Sequence, residues 1–373
     1  MRIRILPYAA AYQEAVRAFT ARLHAGVAGS PASLSSIRNL LLSAEDCRPG
    51  DEFLLAVDEN QVVRGTYILR HQEFWIGDRV ARAACYCLPV SEGIVDRAYT
   101  SLGVPLLLDA LRRQPLLYGL GMGGYHERLP QLLAAAGWRM ITVPFYLYIA
   151  HPDRFLHNIA YLRRSPLRAR AFDLLAGSGL GWLGIKAFQA LHRPRARSAP
   201  VGSETVGRFS EGIDELWETC KSRYALCAVR NRAVLDLLYP AANERFLRLE
   251  VRRGRRLIGW AVLLDTQLAR HKYFGDMRLG SIADCLADPA DAHTVVACAR
   301  QVLEDAGADL IVSNQSHGAW RRALRDCGFL QGPSNFLLGT SRELTRVLRG
   351  DGRDMPLDQM HFNRGDGDGP INL

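Results

Sequence analysis

Leu117-Tyr-Gly-Leu-Gly-Met-Gly-Gly-Tyr-His126, then residues 127–136, Gly137-Trp138 and Val143-Pro-Phe-Tyr-Leu-Tyr148, is written a second time downstream. The second version is Asp309-Leu-Ile-Val-Ser-Asn-Gln-Ser-His317, residues 318–327, Gly328-Phe329 and Ser334-Asn-Phe-Leu-Leu338. Each version is an apolar strand, a polar turn, a helix, a Gly-aromatic pair and a closing strand. Slid by 191 positions, His126 meets His317, Leu133 meets Leu324, Gly137 meets Gly328, Phe145 meets Phe336 and Leu147 meets Leu338.

A hairpin signal repeats upstream at nearly the same offset. Phe53-Leu-Leu-Ala-Val57, the turn 58–60 and residues 62–69 match Phe246-Leu-Arg-Leu-Glu-Val251, the turn 252–254 and residues 257–264, with Gly65 and Gly259 in equivalent places. Two β-rich runs around turn formers predict a hairpin. Two such matches in one order predict a duplicated module.

The remaining pattern fills each module. In the first, helices are expected over 8–24 and 34–43, a strand over 80–90, a helix over 105–114, a strand over 116–121, a helix over 127–136 and a strand over 143–149. The second repeats the order with helices 212–223 and 233–239, hairpin 245–264, strand 278–284, helix 291–306, strand 308–313, helix 318–327 and strand 334–339. A last helix is expected over 341–349. A long helix between two strands implies a parallel crossover, so the fold class is α/β, a mixed sheet with helices on both faces. The division is 1–150 and 201–349 for the two modules, 151–200 for a basic helical linker and 350–373 for a Gly/Asp-rich tail.

The chain has 373 residues and a formal charge of +9, which favours an anionic partner. The charge concentrates in the linker, where Arg154, Arg163, Arg164, Arg168, Arg170, Lys186, Arg193, Arg195 and Arg197 face a single acid, Asp173. Residues 171–191 are apolar but broken by Asp173, Lys186 and Gln189, a pattern for a surface helix rather than a span. Peripheral membrane contact through residues 160–197 is one expectation, and packing against the modules is the other. Aromatics in this stretch sit at apolar helical positions instead of interleaving the arginines, which disfavours nucleic acid. The N-terminal residues carry no secretory pattern, so a cytoplasmic protein is expected, with contact at the inner membrane face as the variant. Eight cysteines without paired spacing are expected as buried thiols, and no metal site is expected.

The order of elements, with a Gly-aromatic pair closing the last helix, resembles the GNAT (GCN5-related N-acetyltransferase) fold, in tandem as in Fem-like transferases. Phe274-Gly-Asp-Met-Arg-Leu-Gly-Ser-Ile-Ala-Asp284, Ser313-Asn-Gln-Ser-His317 and His361-Phe-Asn-Arg-Gly-Asp-Gly-Asp-Gly369 are also similar to tandem GNAT proteins of bacterial polysaccharide production. The resemblance implies acyl-CoA, acetyl-CoA for instance, between two splayed parallel strands, its pyrophosphate on the N–H groups of a glycine-rich helix start. The family signature, Arg/Gln-x-x-Gly-x-Gly/Ala, survives in part as Thr100-Ser-Leu-Gly103-Val-Pro105. By that resemblance Leu88, Val90, Gly103, Val104 and Leu106 are the donor-binding candidates. The second module offers Asp288-Pro-Ala-Asp-Ala-His293-Thr294, whose acids repel a pyrophosphate.

The general-acid tyrosine of many such enzymes is replaced by Leu133 and Leu324. Tyr125 and His126 are substitutes by position. Glu92, after the first central strand, is a candidate base or ammonium contact, against a first-turn acid. Asp284, with Asp276, is a candidate base in the second module, against solvated strand ends. Asn314, Gln315, Ser316 and His317 form a polar edge suited to a small-molecule or glycan acceptor, against a turn and helix cap. The tail is expected either to fold over a cleft or to be disordered. Three functions stay open: acyl transfer to an amine or hydroxyl of a sugar or polysaccharide precursor, a Fem-like reaction using aminoacyl-tRNA, and a non-catalytic binding module.

Overall fold

The computed structural model describes residues 3–27, 50–160, 201–271, 273–350 and 352–367, with positions 48, 163, 165, 170 and 187. The helix expected over 34–43 and most of the basic linker after residue 160 lie outside the described residues.

The first half contains β1 (Arg4–Pro7), α1 (Gln13–Val27), β2 (Glu52–Val57), β3 (Val63–Ile76), β4 (Arg79–Ser91), α2 (Gly103–Arg113), β5 (Leu117–Leu120), α3 (Arg128–Ala135), β6 (Arg139–Thr142) and β7 (Phe145–Ile149). A short α4 (Pro152–Asn158) follows. The second half contains β8 (Val201–Val206), α5 (Gly212–Cys220), β9 (Leu226–Ala228), α6 (Arg232–Leu238), β10 (Leu247–Arg253), β11 (Arg256–Gln267), β12 (Arg278–Ala287), α7 (Ala292–Asp305), β13 (Leu310–Asn314), α8 (Gly318–Asp326), β14 (Leu330–Gly332), β15 (Leu337–Thr340) and α9 (Arg342–Val347). In the tail, β16 (Arg349–Gly350) and β17 (Arg353–Asp354) pair with each other, and β18 (Met360–His361) joins the first sheet.

Sheet one runs β1-β2-β3-β4-β5-β15-β6, with β9 beside the far end of β3 and β18 beside β9. Sheet two runs β14-β7-β13-β12-β11-β10-β8. The closing strands are therefore exchanged: β7 of the first half lies in sheet two, and β15 of the second half lies in sheet one. This corrects the expectation that residues 143–149 and 334–339 close their own sheets. Pro144 and Pro333 stand at the two crossings, where a residue without an N–H ends one ladder before the next begins. β7 can cross because both its faces are apolar. Tyr146 and Tyr148 enter the core with Trp260 and Trp320, while Ile149, with half-buried Phe145 and Leu147, packs with Leu279 and Val312 on the other side.

The Gly-aromatic pairs have a local cause. Gly137 (φ 81°) and Gly328 (φ 85°) take the left-handed conformation that ends a helix. In the first copy Trp138 N–H donates to the Leu133 carbonyl (3.0 Å), and in the second Phe329 N–H donates to Leu324 (3.0 Å). The repeat seen in the sequence thus encodes the same helix stop twice.

Sheet one is covered on one face by α2 and α3, over a core with Tyr67, Leu106 and Trp138. Its other face packs against α1, through Val16, Phe19 and Leu23, and against the tail, through Met360 and Phe362. No helix among the described residues is long and apolar enough to cross a membrane.

Candidate functional site

Each sheet has one parallel strand pair at its centre, and each pair separates partway. In sheet one, β4 and β5 are paired only at Ala84 with Leu117 and Cys85 with Tyr118, while β4 continues to Ser91. The pairing of β4 with β3 slips between Thr66 and Ile68, and Leu88 at this bulge has φ 47°. A leucine in the left-handed region is a costly conformation, held where the strand edge lies open. Val90, two residues on, is buried in the core.

The α2 and α3 helices form the walls of an apolar cavity of about 570 Å³, lined by Val104, Leu107, Leu108, Leu111, Leu132 and Trp138, with Pro115, Arg342 and Glu343 also in its wall. Val104 and Leu108 are 46% and 55% exposed, so apolar surface stays in contact with water along the groove. Leu106 instead points into the core under α2. At Gly103 a Cβ would lie 3.3 Å from Leu132 Cδ2, so a small residue here lets α3 approach. A 3-10 turn, Arg97–Leu102, runs directly into α2, and the residue before the helix, Leu102, is itself helical (φ −62°, ψ −26°). With Pro105 lacking its N–H, the helix start offers fewer free donors than a phosphate cradle uses. Arg128, at the start of α3, reaches the Gly93 carbonyl at 3.5 Å and places a cation at the same mouth.

Glu92 is not a free carboxylate. It accepts from Arg22 Nε (2.6 Å) and Arg64 Nη1 (2.9 Å) and is buried. This pairing ties α1 to β3 and corrects its candidacy as a substrate-facing base. Tyr125 is 51% exposed, with its hydroxyl 3.4 Å from Thr142 Oγ1, and His126 is exposed in the turn after β5.

In sheet two β12 and β13 are paired over four positions, Leu279 with Leu310 through Ile282 with Ser313, and β12 bulges against β11 between Val262 and Leu263. Here the gap is filled. Asp284 accepts from Arg230 Nε (2.8 Å), the Tyr239 hydroxyl (2.7 Å), Asn363 Nδ2 (2.9 Å) and the Cys285 N–H (2.9 Å). Only 1% exposed and accepting four hydrogen bonds from the protein, Asp284 is an internal anchor here and not the open strand-end acid expected. Asp276 accepts from the Arg270 N–H (2.6 Å) in an exposed turn.

The polar edge after β13 holds the tail. The Ser316 hydroxyl donates to the Met360 carbonyl and accepts from the Phe362 N–H (2.7 Å), and Gln315 forms a bridge with Asn363. Gln315 Nε2 also reaches Cys285 Sγ and Ser313 Oγ, both at 3.3 Å, and Asn314 Nδ2 donates to the Pro144 carbonyl (3.3 Å). His317 caps α8 through Nδ1 and is pushed down to about 4, chiefly by burial and then by Arg322. Ser316 and Gln315 thus hold the tail, while Asn314 bonds to Pro144 and His317 caps α8, leaving Asn314 Oδ1 and Gln315 Oε1 buried without a partner among the described residues.

Sequence reasoning missed the centre of that anchor. Arg230 spans two carboxylates, Asp284 at 2.8 Å and Asp366 at 2.6 Å, all three buried between the sheets. Asp366 also accepts from Gln72 Nε2 of β3 (3.1 Å), and its carbonyl accepts from the Tyr118 hydroxyl of β5 (2.7 Å). Burial pulls Arg230 down, but the two carboxylates outweigh it and hold the guanidinium above its ordinary value. One cation cannot neutralise two anions. Asp366 is accordingly raised to about 6, by burial first, with Arg230 opposing and Asp284 adding to the rise. An arginine closing the apolar run Leu226-Cys-Ala-Val-Arg230 was the available signal.

No family model and no curated protein matches the sequence. Among solved structures, the chain is similar to a conserved Enterococcus faecalis protein described as a probable N-acyltransferase, at 8% identity, TM-score 0.53, over 93% of this chain and 74% of that one. It is similar to Saccharomyces cerevisiae N-myristoyltransferase with bound myristoyl-CoA and inhibitors, at 10% identity, TM-score 0.51, over 91% and 79%. A GCN5-related glucosamine N-acetyltransferase region of a fungal multi-domain β-N-acetylglucosaminidase matches at 12% identity, TM-score 0.51, over 91% of this chain and 38% of that one. At these identities the likeness is one of fold, and the fold is that of the GNAT proteins.

Proposed function

We propose that the protein is a tandem GNAT-type acyltransferase working at a single opening, the one between β4 and β5. The observation that carries this reading is the short pairing of those strands, with the bulge at Leu88, in a sheet whose covering helices α2 and α3 form an apolar groove. An acyl-CoA fits this ground in part: the groove suits an acyl or pantetheine chain and Arg128 suits a phosphate, whereas the start of α2 is a poor cradle. The similar folds include both a myristoyl-CoA enzyme and a glucosamine N-acetyltransferase region, so the donor series tested below spans short and long acyl chains.

The donor supplies a thioester carbonyl. The acceptor's amine nitrogen bonds to that carbon, the C–S bond breaks, and the amine proton ends on the departing thiolate or on water. Glu92 and Asp284 are engaged elsewhere, so the protein's contribution is to position the two reactants and exclude water at the strand opening. With Ser316 and Gln315 holding the tail, acceptor recognition is placed in this reading on the tail side of sheet one.

Thermal shift with acyl-CoAs of two to sixteen carbons tests the reading. Stabilisation should grow with chain length, reaching about 2.7 kcal/mol at a hundredfold excess over Kd, and Leu108→Glu should abolish the increase. If no acyl-CoA shifts the melting temperature, the enzyme reading fails.

A further inference from the structure

Arg364 is a half-buried arginine that no carboxylate among the described residues meets. Its Nε is buried with no hydrogen-bond partner, and among the described residues it forms no ion pair. Burial alone pulls it down to about 10, with no charged neighbour acting on it. Its guanidinium carbon sits 5.7 Å from the centre of the Phe336 ring. Other buried arginines are treated differently: Arg230 has two carboxylates, and Arg248 donates to the carbonyls of Tyr239, Phe246 and Asn243. With its Nε buried and unpartnered and no carboxylate among the described residues beside it, the planar fork is open to an anion.

The position of Arg364 is fixed. Asn363 and Asp366 bracket it in a capping box, each side chain accepting from the other's backbone segment. A Cβ on Gly365 would collide with Asp284 Oδ2 and the Tyr239 hydroxyl, both at 2.5 Å, so the tail is pressed against the anchor. Phe336, beneath the guanidinium, lies against Gly121, where a Cβ would be 2.8 Å from the ring. Gly121 (φ 76°) is the first residue after β5, and Gly367 packs on Leu120 at the end of the same strand. Phe362 of this tail covers the face of sheet one opposite α2 and α3. The cation therefore stands at the C-terminal end of β5, on the side of sheet one opposite α2 and α3.

We propose that Arg364 anchors an oxyanion of the acceptor, so that the molecule acylated is a small amine bearing a carboxylate or phosphate. This rests on the acyltransferase reading and adds the acceptor's chemical class. The planar fork suits two parallel hydrogen bonds to either anion, with Phe336 holding its plane. A donor entering from the groove and an acid held by Arg364 would meet at the opening from opposite faces of the sheet.

The test is calorimetry on the full chain with matched pairs, in the presence of a non-transferable acyl-CoA analogue. Amino acids are compared with their amides, and glucosamine 6-phosphate with glucosamine, so that the two anion sources separate. The wild type should prefer the acid of at least one pair by about tenfold or more, Arg364→Gln should reduce that preference to about twofold, and Arg364→Lys should retain part of it. In turnover, Arg364→Gln should raise KM for the acidic acceptor more than it lowers kcat. Equal wild-type binding of acid and neutral partners, or a preference that survives Arg364→Gln, overturns the proposal, and the wild-type comparison decides even if the variant does not fold. Absence of acyl-CoA binding defeats the enzyme reading instead, and is measured separately.

Discussion

The two strand openings begin from the same local plan and end differently. In both, a central strand bulges and parts from its parallel neighbour. Between β4 and β5 the parting comes after two paired positions, in a sheet whose covering helices form an apolar groove. Between β12 and β13 it comes after four, and Asp284, Gln315, Asn363 and Arg230 fill the space. A split in a sheet is therefore not a site by itself. What enters the split decides whether it binds a ligand or holds the protein together.

The largest effect should come from the filled opening. Arg230→Met leaves Asp284 and Asp366 buried together without a cation, and removing one partner of a buried pair typically costs about 3–5 kcal/mol. Urea unfolding should show that loss. A change below about 1 kcal/mol would mean that the carboxylates are neutralised in another way and that the second opening is less tightly sealed than the geometry indicates.

This anchor was the part of the molecule least legible in the sequence. Hairpins, crossovers and the two Gly-aromatic helix stops were readable because each is set by residues within one turn or one strand pair. Asp284 also looked like a strand-end acid, but its partners Arg230 and Asn363 lie 54 and 79 residues away in the chain. Nothing local marks such a contact. The strand exchange failed for the same reason: residues 143–149 form a strand in either sheet, and only Pro144, with apolar residues on both faces of β7, hinted at the crossing. At the open site, Leu88 came from the likeness to a known fold, and its left-handed backbone is visible only in the structure.

The second effect is a pH dependence. A carboxyl raised to about 6 in the folded protein, from an ordinary 3.8, adds stability below the unfolded value and loses it as pH rises through 6. The advantage of the wild type over Asp366→Asn should thus be greatest near pH 4 and shrink by up to about 3 kcal/mol by pH 7. Paired urea titrations at these pH values measure it. An advantage that grows with pH would show Asp366 ionised throughout, with Arg230 serving both carboxylates equally.

The smallest effect separates the two halves most directly. Gly65 in β3 and Gly259 in β11 occupy equivalent places beside the bulged strands, and each lets the following helix come close. A Cβ at Gly259 would lie 2.4 Å from Val295 Cγ2 of α7 and 2.9 Å from the Ala287 Cβ. At Gly65 it would lie 2.9 Å from the Val90 carbonyl and 3.1 Å from Leu102 Cδ2. Overpacking of this kind costs about 1–3 kcal/mol, so both alanine variants should melt lower. The consequences for ligand binding should differ. Gly65→Ala pushes on Val90 and the start of α2, the walls of the open site, and should weaken the acyl-CoA thermal shift. Gly259→Ala pushes on a sealed opening and should leave that shift unchanged. If Gly259→Ala weakens donor binding as much as Gly65→Ala, the two openings are coupled through the exchanged strands β7 and β15, and the division of labour between them has to be replaced by a single shared site.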